Sequence, residues 1–203
     1  MSLITTKSKK IFLTFFLLCF TAEVWAVTAK IRFLFPISIE STTDGFEDTQ
    51  INTSEFVLSF VMPVSRNTQL DFGYSYFNAR IEDTNSSSEA YKGVFRAHLL
   101  EIGAGYTGIE VTRTVSLLIE ASTRFPFSGQ AEVNGTPGSS EADSISGMGY
   151  FLGSGIAYGN IDLLLFYQQR DLTFDKLTVV RDGLSKDVAL HSIEYGIGIG
   201  YTF

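Results

Sequence analysis

Tyr195-Gly-Ile-Gly-Ile-Gly-Tyr-Thr-Phe203 is the stretch that decides the fold. Tyr195, Ile197, Ile199, Tyr201 and Phe203 fall on one face, and Gly196, Gly198, Gly200 and Thr202 on the other. A period of two marks a strand, and the size contrast gives its two faces different surroundings. One side meets an apolar medium, and the other has room only for a hydrogen or a small side chain.

The same period recurs upstream and predicts eight strands, over about 30–40, 53–62, 69–80, 94–106, 115–125, 147–158, 161–172 and from about 188. The first sets Ile31, Phe33, Phe35, Ile37 and Ile39 against Lys30, Arg32, Ser38 and Glu40. The third sets Leu70, Phe72, Tyr74 and Tyr76 against Asp71, Gly73 and Ser75. Long polar links (41–52, 81–92, 126–145, 173–187) alternate with short ones at Pro63–Asn67, Gly108–Thr114 and Gly159-Asn160. An even strand number with long and short links in alternation is the pattern of an outer-membrane barrel. The predicted fold is all-β: an eight-stranded antiparallel up-and-down transmembrane β-barrel.

A soluble barrel would put the apolar face inward around a small ligand. Glycines weaken a solvent-facing strand, yet Gly103, Gly105, Gly153, Gly155, Gly196, Gly198 and Gly200 crowd the second face. That face also carries Leu34, Val57, Leu99, Leu118, Leu164 and Phe166 among charges, as a packed interior would. Aromatics of the apolar face gather towards the strand ends: Phe33, Phe72, Tyr106, Tyr158, Tyr201 and Phe203 at one, Tyr76, Phe125, Tyr150 and Tyr167 at the other. Two such belts fit a bilayer.

The beginning of the sequence fits export. Lys7, Lys9 and Lys10 precede an apolar run, Ile11 to Phe20, and Val24-Trp25-Ala26 or Val27-Thr28-Ala29 supplies a small-residue cleavage site. Residues 1–26 therefore read as a secretory signal peptide and 27–203 as the barrel domain. The apolar run is too short to span a bilayer, which takes roughly 20 residues. Cys19 is the sole cysteine and lies inside the signal, behind Leu18 rather than the small residue that lipidation wants. Cleavage removes three lysines and Glu23, leaving 12 basic against 21 acidic residues, a net charge of −9. So acidic a chain does not suit nucleic acid.

The alternating terminal strand with its final Phe203 resembles the C-terminal assembly signal of bacterial outer-membrane barrels. The whole resembles the eight-stranded families that include the OmpA transmembrane domain and OmpX. The resemblance implies a Gram-negative outer membrane, both termini periplasmic, and lipid and lipopolysaccharide as neighbours. It also implies recognition of Tyr195, Ile197, Ile199, Tyr201 and Phe203 by the assembly machinery. A monomer is expected.

Inward parity assigns a lumen ionic network to Arg32, Asp71, Glu101, Glu120, Arg124, Arg170 and Glu194, because buried charges are costly unless paired. Glu120 is expected with Arg32 or Arg124, and Glu194 with Arg170. Catalysis of the Ser-His-acid kind needs a base beside its nucleophile. His98 and His191, the two histidines, have outward parity and no serine two residues away on their own face. Each is expected at the rim, bonding lipid headgroups. No enzyme, cofactor or metal site is expected. Asp44-Gly-Phe-Glu47-Asp48 lacks the oxygen-ligand spacing of a calcium loop. Ser128–Ser144 reads as a mobile loop, and Leu177, Val179 and Val180 suggest that the last two strands extend as a hairpin. The expected function is a non-enzymatic outer-membrane barrel serving envelope integrity or surface contact through four extracellular loops. A small-solute or ion channel is the alternative, and a lipid A-modifying enzyme the third reading.

Overall fold

The computed structural model describes residues 27–43, 49–83, 92–133, 136–140, 145–179 and 184–203. Among the described residues nine strands follow in order: β1 (Thr28–Thr43), β2 (Thr49–Pro63), β3 (Thr68–Asp83), β4 (Lys92–Glu110), β5 (Val115–Val133), β6 (Thr136–Ser140), β7 (Ile145–Tyr158), β8 (Ile161–Val179) and β9 (Leu184–Thr202). Each barrel strand pairs antiparallel with its neighbour, and β5 pairs with β7. β1 closes the wall on β9 through Ile31–Tyr201 and Phe33–Ile199. Eight strands thus form a closed barrel, and β6 folds back on β5 outside that circuit, from Gly129–Ser140 to Val133–Thr136.

The strands run longer than the sequence suggests. β4, β5, β8 and β9 each have 19 residues. At about 3.3 Å per residue and a tilt of about 40°, such a strand rises roughly 48 Å, against an apolar band of about 25 Å in a barrel of this kind. Beyond the band the two faces exchange character. On β3 the outward Leu70, Phe72, Tyr74 and Tyr76 give way to Asn78 and Arg80, while the inward Asp71, Gly73 and Ser75 give way to Phe77, Ala79 and Ile81. On β8 the outward Leu163, Leu165 and Tyr167 are followed by Gln169 and Asp171, and the inward Arg170 by Leu172 and Phe174. The wall is apolar outside where it meets lipid and apolar inside where it meets water.

The Ser128–Ser144 segment is not the loop expected from its composition. β5 continues through it to Val133 and returns as β6. Extension of the last hairpin is as expected, with β8 reaching Val179 and β9 starting at Leu184. The acidic stretch 44–48 and the signal segment 1–26 lie outside the described residues.

Two prolines shift the pattern. Proline has no N–H for the ladder and is accommodated at bulges. Pro36 pairs with Gly196 and Ser38 with Tyr195, so Ile37 is an extra residue and is 73% exposed. Pro126 pairs with Leu99 and Ser128 with His98, making Phe127 the extra one. Each bulge inverts parity beyond it. Ile39 and Glu40, expected outward and inward, are therefore reversed: Ile39 pairs with the inward Glu194, and Glu40 is exposed opposite Ile193.

Close backbone approach explains some of the inward glycines. A Cβ on Gly155 would lie 1.8 Å from the Leu163 carbonyl oxygen, and one on Gly196 2.2 Å from that of Phe35.

Candidate functional site

The lumen is stacked in layers. At the end that carries the short turns, Lys30 Nζ contacts Glu120 Oε1 and lies 2.6 Å from Asp162 Oδ2. Arg32 stands next to them, 3.1 Å from Glu120 Oε2 and 3.7 Å from Glu101 Oε1, without closing a hydrogen bond to either. Asp71 is also buried here and accepts from Gln69 Nε2 at 3.3 Å.

An apolar cluster of Leu34, Val57, Leu118, Phe151, Leu164 and Phe166 follows. The guanidinium carbons of Arg32 and Arg124 lie 5.2 and 4.8 Å from the Phe151 ring centre. Both are within cation–π range.

Above it sits a ring of charge-assisted bonds. Arg124 donates through Nε to Glu101 at 2.7 Å and through Nη1 to Gln168 at 2.8 Å, and its Nη1 is 2.8 Å from Glu55. Arg170 bridges Glu55 and Glu194. Glu194 also accepts from Gln168 Nε2 at 2.8 Å, Thr53 Oγ1 at 3.0 Å and Ser192 Oγ at 3.2 Å. Ser75 donates to Glu55. Arg170 lies 4.2 Å over the Phe77 ring, where the upper apolar cluster begins. That cluster gathers Phe77, Ile81, Phe95, Leu99, Leu172 and Phe174, with Phe95 and Phe174 meeting edge-on at 5.2 Å.

All seven residues assigned to the lumen from parity are buried there. Glu120 stands beside Arg32 and Glu194 beside Arg170, while Arg124 serves Glu101 and Glu55. Sequence reasoning omitted Lys30, Glu55, Asp162 and Gln168 from the network. All four have inward parity, so the signal was present. The upper apolar cluster was missed because its members Phe77, Ala79, Phe95, Ala97 and Leu172 sit at predicted strand ends, where the inward face had been assigned to charges, and Ile81, Ala131, Ile145 and Phe174 in segments read as loops. The alternation of Phe77, Ala79 and Ile81 and of Phe95 and Ala97 could have revealed it.

On the outward face Tyr167 and Tyr195 meet at 5.2 Å, and Tyr201 and Phe203 at 5.0 Å, one pair towards each end of the apolar band. The band between them exposes Leu163, Leu165, Ile197 and Ile199. A closed wall of eight strands, an apolar belt with aromatic margins and a filled lumen fix the architecture.

The chain folds as a small eight-stranded antiparallel barrel of transmembrane architecture.

No family model and no curated protein matches the chain. Among solved structures, Neisserial surface protein A (NspA) aligns at 15% identity and a TM-score of 0.43, over 87% of this chain and 96% of its own. Ail, the attachment invasion locus protein of Yersinia pestis, aligns at 16% and 0.36, over 87% and 97%. The translocator domain of the autotransporter NalP from Neisseria meningitidis aligns at 13% and 0.25, over 96% of each.

Both histidines face outward, and each has a partner within the barrel. His98 Nδ1 lies 2.6 Å from the Tyr74 hydroxyl, among the rings of Tyr74, Tyr76 and Phe127. His191 Nδ1 bonds Asp171 Oδ1 across the β8–β9 ladder. Each imidazole is thus held through Nδ1 by a side chain of the barrel. Among the described residues no three His, Cys, Asp or Glu side chains converge as a metal site.

Proposed function

We propose that this barrel resides in the outer membrane of a Gram-negative bacterium with both termini and the short turns in the periplasm. Its body serves as a rigid, non-conducting and non-catalytic plug, and its long links serve the cell surface in envelope integrity or contact. The observation that carries this reading is the lumen filling: a ring of ion pairs between two apolar clusters. A solute path would have to displace Phe95, Phe174 and Phe151 and break the Arg124 and Arg170 bridges. Interiors of eight-stranded barrels are narrow enough for side chains to fill. The surrounding partners are outer-membrane lipid and lipopolysaccharide, and the unit is a monomer. The assembly machinery takes the terminal strand.

Two single-cysteine variants test the orientation, because residues 27–203 contain no cysteine. Ser146→Cys stands exposed at the loop end and Ser65→Cys in the turn between β2 and β3. An impermeant maleimide should label the first on intact cells and the second only after permeabilisation. The reverse pattern would invert the barrel. Cells lacking the protein should show greater detergent and antibiotic sensitivity, or lose adhesion that loop exchange also removes. Unchanged behaviour in both assays would remove the envelope and contact roles.

A further inference from the structure

Just beyond the aromatic belt, the outward face carries opposite charge on its two sides. On β3 the exposed Arg80 stands four residues beyond Tyr76, and on β4 the half-buried Arg96 stands two residues beyond His98. Both therefore lie roughly 5–10 Å above the rings of Tyr74, Tyr76, His98 and Phe127, at the height of lipid headgroups. Arg96 pairs with Asn78, which precedes Arg80 by two residues on the same face of β3, so the arginines are diagonal neighbours. Diagonal Cβ atoms are about 7 Å apart, a span that two guanidinium groups can close on one phosphate.

Neither arginine is neutralised within the barrel. Among the described residues neither forms an ion pair, and the polar residues paired with them, Asn52, Asn78 and Gln130, are uncharged. Asn78 Oδ1 has no hydrogen-bond partner and so holds neither guanidinium. Glu132 pairs with Val94 on this wall and bridges to neither arginine. His98 is engaged at Nδ1 by the Tyr74 hydroxyl, which leaves Nε2 for an outside partner. Across the barrel, the positions just beyond the Tyr167–Tyr195 pair instead expose two acids, Asp171 on β8 and Glu40 on β1. An anionic headgroup is thus drawn to the β3–β4 wall and repelled from the opposite one.

We propose that the β3–β4 wall binds the phosphorylated sugar headgroup of an outer-leaflet glycolipid, an inference that rests on the orientation proposed above. Arg80 and Arg96 clamp a phosphate, since planar guanidinium forks match its oxygens. The amides of Asn78 and Gln130 and His98 Nε2 serve the hydroxyl and amide groups of the sugar. The rings of Tyr74, Tyr76 and Phe127 lie below, against the first carbons of the acyl chains. A glycerophospholipid offers the phosphate without the sugar that the polar row would hold.

The full chain, purified from outer membranes in detergent and freed of lipid, is titrated with lipid A, with lipid A stripped of its phosphates, and with phosphatidylglycerol. Native mass spectrometry counts the bound lipid. Lipid A affinity is expected to fall about fivefold in Arg80→Gln and in Arg96→Gln, by more than about tenfold in the double variant, and with added salt. Arg66→Gln, in the turn between β2 and β3, should leave it unchanged. Unchanged affinity in a double variant that keeps the heat-modifiable gel mobility of folded barrels overturns the proposal. So does equal binding of dephosphorylated lipid A or of phosphatidylglycerol by the native chain, which needs no variant to fold. Binding in detergent is independent of orientation, so reversed maleimide labelling would separately move this wall to the inner leaflet and overturn the outer-leaflet assignment.

Discussion

At the scale of single residues, the lumen is governed by the cost of an unpaired buried charge. Arg170 is held by two carboxylates, Glu55 and Glu194, all three buried. Arg170→Ala leaves two buried acids short of a cation and should cost about 3–5 kcal/mol. Urea unfolding in vesicles, followed by the heat-modifiable gel shift, measures it. Glu110, exposed near Arg66 at 3.9 Å, offers the contrast: Glu110→Ala should change stability by less than about 1 kcal/mol. Gly196→Val is a different test, because its side chain would strike the Phe35 carbonyl and the Phe166 ring. It should lower the folded yield sharply, whereas the same change in exposed turn residue Ser65 should not.

At the scale of elements, alternation was legible wherever the strand was regular. The lipid-facing stripes of β3, β7, β8 and β9 and the inward charges follow from period two alone. The bulges did not follow, because proline signals an interrupted ladder without saying which residue becomes extra. Glu40 was consequently placed on the wrong face. Cross-strand register, which puts Asp171 beside His191, depends on turns and bulges acting together. Pro36→Val, which returns an N–H to the ladder, should favour unbroken alternation through Ile37, forcing Glu40 inward and Ile39 outward. Such a chain is expected to fold in lower yield and lose the heat-modifiable shift at milder temperature. Equal folding would mean that the bulge is dispensable. Phe203→Ala removes the aromatic end of β9 and is expected to reduce the amount of protein in the outer membrane. Unchanged levels there would separate the terminal strand from assembly.

At the scale of the molecule, the exchange of faces along the wall is the organising feature. Within the apolar band the interior holds two charged layers, whose charges pair across the lumen, on either side of the cluster of Leu34, Val57, Leu118, Phe151, Leu164 and Phe166. Beyond the band it is apolar inside, so the projecting strands carry their own core of Phe77, Phe95, Leu172 and Phe174. Eight strands and closure were readable from link lengths and the terminal strand, but the upper core was not, because it sits where the two faces of the strands exchange character, at the predicted strand ends and in the adjoining links. That core makes the interior continuous, with ionic and apolar layers alternating from end to end and no wide aqueous segment required. The most direct test is single-channel recording of the full chain, purified from outer membranes and reconstituted in planar bilayers, with folding checked by the heat-modifiable shift. A silent bilayer is expected for the native chain and for Glu120→Gln. Regular conductance steps, above all steps that change with Glu120→Gln, would contradict a filled lumen.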